Sequence, residues 1–392
     1  MRDQYLPYCR PNVDEAEIAA IAECIRNGWL TTGPKVREFE AAFAQASGAK
    51  HAVALNSCTA ALHIGLLAAG VGPGDEVVMP SLTFVAGAQC TLEAGATPVF
   101  CDVDEGTLTA DLGCIETAVT AKTKAIITMP YAGRPANVRE IVNFACERGI
   151  TVIEDAAHAA GMLDRGEWAG TRSHLAAYSF YATKNVTTAE GGMLVTNDDA
   201  VAERVRVLSL HGMDKDAWKR YTARGSWRYD VREPGFKYNM SDIAAAMGIV
   251  QLQRLEQMQR RRDEIAQRYL SAFSNTPGIL PQRAPIYPLD RHAWCMFVVR
   301  VDEREAGISR DDLIEELRLR NIGTSVHYIP THLFAAYKAY GSNRLRQTER
   351  VWHQIISLPL YPTMSDRDVE DVIDAVNTCI NERKQPSGLL AG

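Results

Sequence analysis

Three short stretches gather the reactive side chains of this 392-residue chain. Asn56-Ser57-Cys58-Thr59-Ala60-Ala61-Leu62 follows an apolar run and opens a helical pattern. Free backbone N–H groups and small polar side chains there meet the positive end of a helix dipole, a setting that binds phosphate. Ser57 equally fits a plain helix cap. Val152-Ile153-Glu154-Asp155-Ala156-Ala157-His158 places Asp155 just beyond the carboxyl end of a strand, where open α/β sheets hold ligands. A carboxylate buried there asks for a cation, and a pyridine nitrogen would be kept protonated by it; a helix N-cap Asp would ask for none. His158, three residues on, shares a face with Asp155 if a helix starts there, and a satisfied structural histidine is the plainer reading. Tyr178-Ser179-Phe180-Tyr181-Ala182-Thr183-Lys184-Asn185 sets Lys184 after a strand and ahead of Glu190-Gly191-Gly192. Desolvation there would lower its pKa and ready the amine for attack on a carbonyl, whereas alone it reads as a solvated surface lysine.

It is the conjunction that selects. A phosphate cradle, a carboxylate for a ring nitrogen and an amine for an aldehyde, all at strand ends, are what pyridoxal 5′-phosphate requires. Lys184 would hold the aldehyde, Asp155 the ring nitrogen, and Cys58, Thr59 and Ser179 the phosphate. Phe84, in Pro80-Ser81-Leu82-Thr83-Phe84-Val85, would lie against the ring or pack into the core. A nicotinamide enzyme would want G-x-G-x-x-G after its first strand, and Asn56-Ser57-Cys58-Thr59 stands there instead.

Positioning these groups takes an α/β framework. From Glu15 to Asn197 short apolar runs alternate with amphipathic stretches, the pattern of repeated βα units around a mostly parallel sheet. Strands are predicted at His51–Leu55, Glu76–Met79, Thr97–Cys101, Lys124–Met129, Thr151–Ile153, Ala176–Phe180 and Gly192–Thr196, each apolar on both sides. A helix is predicted from Pro34, with Val36, Phe39, Glu40 and Phe43 on one face and Gly48 as its stop. A long polar helix is expected from Ser241 to about Ala272, carrying Arg260-Arg261-Arg262, before Pro277, Pro281, Pro285 and Pro288 break the pattern. Val298–Val301, a helix Arg310–Arg320 capped by Ser309 and a helix Asp366–Asn381 then read as a smaller α+β domain. The expected organisation is a large domain over 1–250, a connecting helix over 251–275, a small domain over 276–386 and a tail over 387–392. At about 150 residues per domain the length allows this.

Composition narrows the partners. A net charge of −6, from 42 Lys plus Arg against 48 Asp plus Glu, does not recruit nucleic acid or an anionic membrane. Nine cysteines without a C-x-x-C pair disfavour zinc ribbons and a disulfide framework, so no metal is expected. The opening Met1-Arg2-Asp3-Gln4-Tyr5 has no apolar leader and no run reaches the ~18 apolar residues of a membrane span; a reducing cytoplasm is the expected compartment.

The chain resembles the pyridoxal-phosphate sugar-nucleotide aminotransferases of the DegT/StrS type, on the fold type I, aspartate aminotransferase-like scaffold. The likeness runs from Gly28-Trp29-Leu30-Thr31-Thr32-Gly33-Pro34 to Ser357-Leu358-Pro359-Leu360-Tyr361-Pro362. Gly74-Asp75-Glu76-Val77, Glu154-Asp155-Ala156-Ala157-His158, Ser179 to Lys184 with Glu190-Gly191-Gly192, and Gly235-Phe236-Lys237-Tyr238-Asn239-Met240-Ser241-Asp242 carry it in the family's order. The resemblance implies transamination from L-glutamate, leaving 2-oxoglutarate and the pyridoxamine form of the cofactor, to a nucleotide-linked keto sugar. It implies Lys184 as base and acid, His158 holding Asp155 or the ring oxygen, and Asn239 reaching the phosphate of the neighbouring subunit in a homodimer with shared active sites. Trp29 to Pro34, Asp216-Ala217-Trp218 and Gly323-Thr324-Ser325-Val326-His327-Tyr328 are most similar to the branch that aminates 4-keto sugars, including the 4-amino-4-deoxy-arabinose enzymes. Lys35, Arg228 and His327 are the candidate cations for the sugar nucleotide, with Thr31 and Tyr328 as further contacts. Pro130 stands where close relatives carry His, which bears on the sugar. Cys58 replaces a common Gly without removing a backbone N–H. Two other readings, a pyridoxamine-dependent sugar dehydratase and a non-catalytic regulatory protein that keeps the cofactor, are opposed by the presence of Lys184 and by the joint retention of Asp155, Lys184 and Ser179.

Overall fold

The computed structural model describes residues 2–213, 229–341 and 345–384. Seven strands form the main sheet: β1 (His51–Leu55), β2 (Glu76–Pro80), β3 (Thr97–Cys101), β4 (Thr123–Thr128), β5 (Thr151–Asp155), β6 (Leu175–Ser179) and β7 (Gly192–Thr196). Their order is β1-β7-β6-β5-β4-β2-β3. From β3 to β6 every pairing is parallel, while β7 runs antiparallel to both β6 and β1. All seven strands lie where the apolar runs predict them, within two residues at each end. The reversal of β7 is not visible in those runs, because a strand buried on both faces reads the same in either direction.

The sheet is covered on both sides, and alternate residues of one strand reach different cores. On β6, Ala176 and Tyr178 pack with Phe39 and Phe43, whereas Leu175 and Ala177 pack with Leu62 and Ile64. Phe39 and Phe43 belong to the Pro34–Ser47 helix, which buries the expected face of Val36, Phe39, Glu40 and Phe43. Gly48 ends it at φ +75°, the left-handed turn that closes a helix most readily without a Cβ.

The Asp242–Phe273 helix, capped by the Ser241 hydroxyl accepting from the Ala244 N–H, is less polar than its composition suggests. It runs along two cores in succession, so its apolar residues are spread around it. Ala245, Ile249 and Leu255 pack against the main sheet, and Ile265, Tyr269 and Phe273 pack into the second core. Even Arg262 is buried, donating to the carbonyls of Trp294 and Leu360. That second core lies under a small antiparallel sheet of β8 (Ile279–Pro281), β9 (Phe297–Val301) and β10 (Ile355–Leu358), in the order β10-β9-β8. The Arg310–Leu319 helix, capped by Ser309, and the Asp366–Lys384 helix complete it. Leu6, far away in sequence, joins this core through backbone bonds with Asn321 and Gly323.

One buried contact ties the N-terminal helix to the segment that carries Lys184. Glu17 is 0% exposed, and both its oxygens accept from Arg254 Nη1, at 2.8 and 2.9 Å. Gln251 donates to Glu17 at 2.6 Å and accepts the Thr187 N–H at 3.3 Å. Arg254→Ala should therefore lower stability by about 3 kcal/mol, since it leaves a carboxylate buried without its cation. Urea unfolding checks this, and a loss below about 1 kcal/mol would show the pair to be no more than a surface contact.

Candidate active site

A cavity of about 410 Å³ opens at the carboxyl ends of β5 and β6, and Cys58, Thr59, Asp155, His158, Ser179 and Lys184 all line it. Local folding explains how they meet. The Cys58–Ala68 helix points its N-terminus at the cavity, with the Ser57 hydroxyl accepting from the Ala60 N–H at 3.0 Å. Capping and phosphate cradle are thus compatible, since Ser57 caps while Cys58 and Thr59 face the cavity. Gly192 on β7 lets that helix come so near: a Cβ there would lie 2.4 Å from the Ser57 carbonyl group and 2.6 Å from the Cys58 nitrogen.

Asp155 is the last residue of β5 rather than the residue beyond it, and no helix follows. Its Oδ1 accepts the Ala157 N–H at 3.2 Å, and Ala159 and Met162 donate back to Ala156 and Ala159, so residues 156–162 form consecutive turns. The helix N-cap reading of Asp155 and the shared helical face with His158 are both overturned by this turn. Asp155 is only 4% exposed, and burial raises its pKa while the Ala157 N–H and the charge of Lys184 oppose the rise. Its bonds, from Ala157 and from the Cys58 thiol at 3.8 Å, both end on Oδ1. No ion pair reaches it among the described residues.

Lys184 is half-buried at the end of a turn closed by its own N–H on the Tyr181 carbonyl. Asn185 anchors the turn by donating to the carbonyls of Ala160 and Ala293. His158 places Nε2 3.0 Å from the Tyr328 hydroxyl, with the two rings 11° from parallel. Burial, with the charges of Lys184 and His327 nearby, holds its pKa well below the usual range. Burial and Lys184 likewise lower His327 to about 4.

Phe84 is not a core residue: it is 55% exposed, lines the cavity, and lies 5.9 Å from the ring of Tyr328. The loop bearing it is tied to the C-terminal segment by the Ser81 hydroxyl, 2.7 Å from His332 Nδ1. His327 and Tyr328 also line the cavity, and His327 Nδ1 lies 2.8 Å from the Ser357 hydroxyl.

Three candidates lie elsewhere. Thr31 is exposed, Lys35 is paired with Glu38 at 2.8 Å, and neither lines this cavity, because the Asp242 carboxylate receives the N–H groups of Gly33, Lys35 and Val36 and docks the segment against the long helix. Asn239 donates to the Thr32 hydroxyl at 2.6 Å and is likewise outside it. Arg228 and Asp216-Ala217-Trp218 fall outside the described residues. Tyr8, Met129, Cys295 and Met296 line the cavity without any motif to announce them; only the fold brings residues so distant in sequence together.

These residues fit pyridoxal phosphate. A buried carboxylate with no ion pair among the described residues faces one cavity with an amine, and a helix N-terminus opens onto it with hydroxyls beside it. Among the described residues no cluster of three His, Cys, Asp or Glu could hold a metal, and no helix is long and apolar enough to cross a membrane.

Comparison with known proteins agrees. The DegT/DnrJ/EryC1/StrS aminotransferase family matches residues 11–377. The spore coat polysaccharide biosynthesis protein SpsC of Bacillus subtilis is 47% identical over 383 residues, which is 97% of this chain and 98% of SpsC. The aminotransferase TlmJ from Streptoalloteichus hindustanus superposes with a TM-score of 0.89 at 35% identity, over 96% of this chain and 99% of TlmJ. Spr1654 from Streptococcus pneumoniae in its PLP form does so with a TM-score of 0.88 at 32% identity, over 97% and 99%, and is also known in a PMP form. With a fold type I scaffold and a cavity suited to this cofactor, the chain belongs to the DegT/DnrJ/EryC1/StrS aminotransferase family and is a pyridoxal-phosphate-dependent transaminase.

Proposed function

We propose that this enzyme moves the amino group of L-glutamate to a nucleotide-linked keto sugar, a 4-keto sugar by preference, and releases an amino sugar. The observation that carries the reading is the presence, in one cavity, of a buried Asp155 with no ion pair among the described residues and of the Lys184 amine. A relative named for spore coat polysaccharide biosynthesis supports a carbohydrate product.

Pyridoxal phosphate, when bound, supplies an electron sink that lets the C–H bond beside a substrate amine give up its proton. Asp155 would hold the ring nitrogen, and its charge would keep that nitrogen protonated. Cys58 and Thr59, at the helix N-terminus, and Ser179 bind the phosphate through N–H and hydroxyl groups. The Lys184 Nζ would anchor the cofactor at rest and, once freed, would serve as the base that takes the proton from the α-carbon of the amino donor and as the acid that gives it back. Phe84 covers the site and excludes water. His327 is a cation candidate for the substrate only in acid, because its pKa is lowered to about 4. Near neutrality it acts as a neutral hydrogen-bonding ring.

In this proposal a large domain over 1–250 supplies the cofactor site and a small domain over 276–386 the wall bearing His327 and Tyr328, with 251–275 connecting them; the expected tail over 387–392 lies outside the described residues. Two copies associate as a homodimer in which Asn239 reaches the partner's phosphate site. The cytoplasm is the compartment, as nine free cysteines suit reducing conditions.

The loaded protein should be yellow and should bleach with L-glutamate, and a panel of UDP- and dTDP-linked 4-keto and 3-keto sugars should then restore the colour selectively. A spectrum unmoved by glutamate but moved by another amino acid overturns the donor. Restoration by 3-keto sugars alone overturns the regiochemistry.

A further inference from the structure

His158 is 1% exposed and, with its pKa held down, neutral. A neutral imidazole keeps one proton, on one of two nitrogens. Nδ1 is sealed from solvent and has no hydrogen-bond partner among the described residues, so a molecule entering the cavity cannot satisfy it either. A proton on Nδ1 would strand a buried N–H, whereas a bare Nδ1 leaves only an acceptor unfilled. Stranded buried N–H groups are the rarer of the two. The other nitrogen has a partner at hand, the Tyr328 hydroxyl.

We infer that His158 carries its proton on Nε2 and donates it to the Tyr328 hydroxyl oxygen 3.0 Å away, so that the Tyr328 O–H is free to donate to an anionic oxygen of the molecule in the cavity. Tyr328 is then the group that touches the ligand, and His158 is a positioning residue acting through it. The surroundings keep the phenol in place and protonated. Its ring lies 11° from parallel with His158 and packs against Phe84. Its neighbour His327 is held at Nδ1 by Ser357 and at its carbonyl by the Tyr131 hydroxyl. Burial raises the Tyr328 pKa well above its usual value. The imidazole comes from the turn after β5 and the phenol from the segment leading to Pro330, so proper placement of that segment over the main sheet orients the donor.

Two oxygens share the required chemistry: the phenolic oxygen of the cofactor and the carboxylate of the amino donor. Naming them rests on the proposed function, whereas the position of the proton can be read with no ligand at all.

Ring-15N spectra of histidine-labelled, cofactor-free protein, with His158 assigned by its loss in His158→Gln, should show a protonated Nε2 and a bare Nδ1. Tyr328→Phe should shift the Nε2 signal. It should also weaken binding about tenfold, the loss of one charge-assisted hydrogen bond. A rise confined to the dissociation constant of pyridoxal phosphate assigns the oxygen to the cofactor. A rise confined to the inhibition constant of 2-oxoglutarate on the loaded enzyme assigns it to the amino-donor carboxylate. His158→Gln, which keeps an N–H donor, should hold both constants within about threefold, and His158→Leu should not. A proton found on Nδ1, or a Tyr328→Phe protein with both constants unchanged, overturns the inference. Wild-type protein that fails to take up pyridoxal phosphate overturns the proposed function instead, and leaves the 15N result standing.

Discussion

Lys184→Ala should lower turnover by at least about 10⁴-fold while the protein stays folded, because the side chain is asked to act as nucleophile, base and acid in a single site. Its contribution to the fold is small. Lys184 is half-buried, and the bond that closes its turn is made by the backbone N–H to Tyr181, which alanine retains. The segment is held by neighbours instead: Asn185 on Ala160 and Ala293, and Thr187 on Gln251. Thermal unfolding should therefore move little. Borohydride reduction of the wild-type holoenzyme followed by peptide mapping should find the cofactor fixed at position 184, and the alanine variant should lose that adduct while still binding pyridoxal phosphate reversibly. Turnover within about tenfold of wild type, or an adduct on another lysine, would remove Lys184 from the chemistry.

The same residues show where a sequence can be read and where it cannot. Strands β1 to β7 and the Pro34–Ser47 helix follow from local apolar patterning, because burial on one stripe or two faces leaves a periodic trace in the chain. Ser57, Cys58 and Thr59 are legible for a related reason: a strand followed at once by a helix sets the N–H groups at the strand's end. The turn after Asp155 is not legible. Ala156-Ala157 favours a helix, and the bond from the Ala157 N–H to Asp155 is one that a helix N-cap would make as well, so nothing local separates the two outcomes. Nor can spacing predict the cavity wall formed by Tyr8, Cys295 and Tyr328, three distant segments that the fold brings together where the second core, with Leu6 in it, lies beside the main sheet. Phe84 shows the limit from the other side, since an aromatic residue in an apolar run reads first as core, and its exposure beside the cavity corrects that reading.

Asp155→Asn tests the other half of the chemistry, and its effect should be nearly as large, about 10³-fold in the rate of the glutamate half-reaction. The substitution is close to isosteric. The asparagine carbonyl oxygen can still accept the Ala157 N–H that now ends on Oδ1, so the turn over 156–162 should survive and stability should change by less than about 1 kcal/mol. What is lost is the negative charge. Asp155 is buried at the end of β5 with its pKa raised by burial and with no ion pair among the described residues, so it gains most from a ligand cation that relieves its desolvation. An asparagine cannot keep a pyridine nitrogen protonated, and the electron sink weakens in proportion. Asp155→Ala should then be no slower than the asparagine variant by more than about tenfold, because shape matters less here than charge. An asparagine variant within tenfold of wild type would mean that the charge is not used in turnover. Asp155 would then be a turn-forming residue, holding Ala157 and receiving the Cys58 thiol, and the cavity's affinity for a cationic ring would need another source.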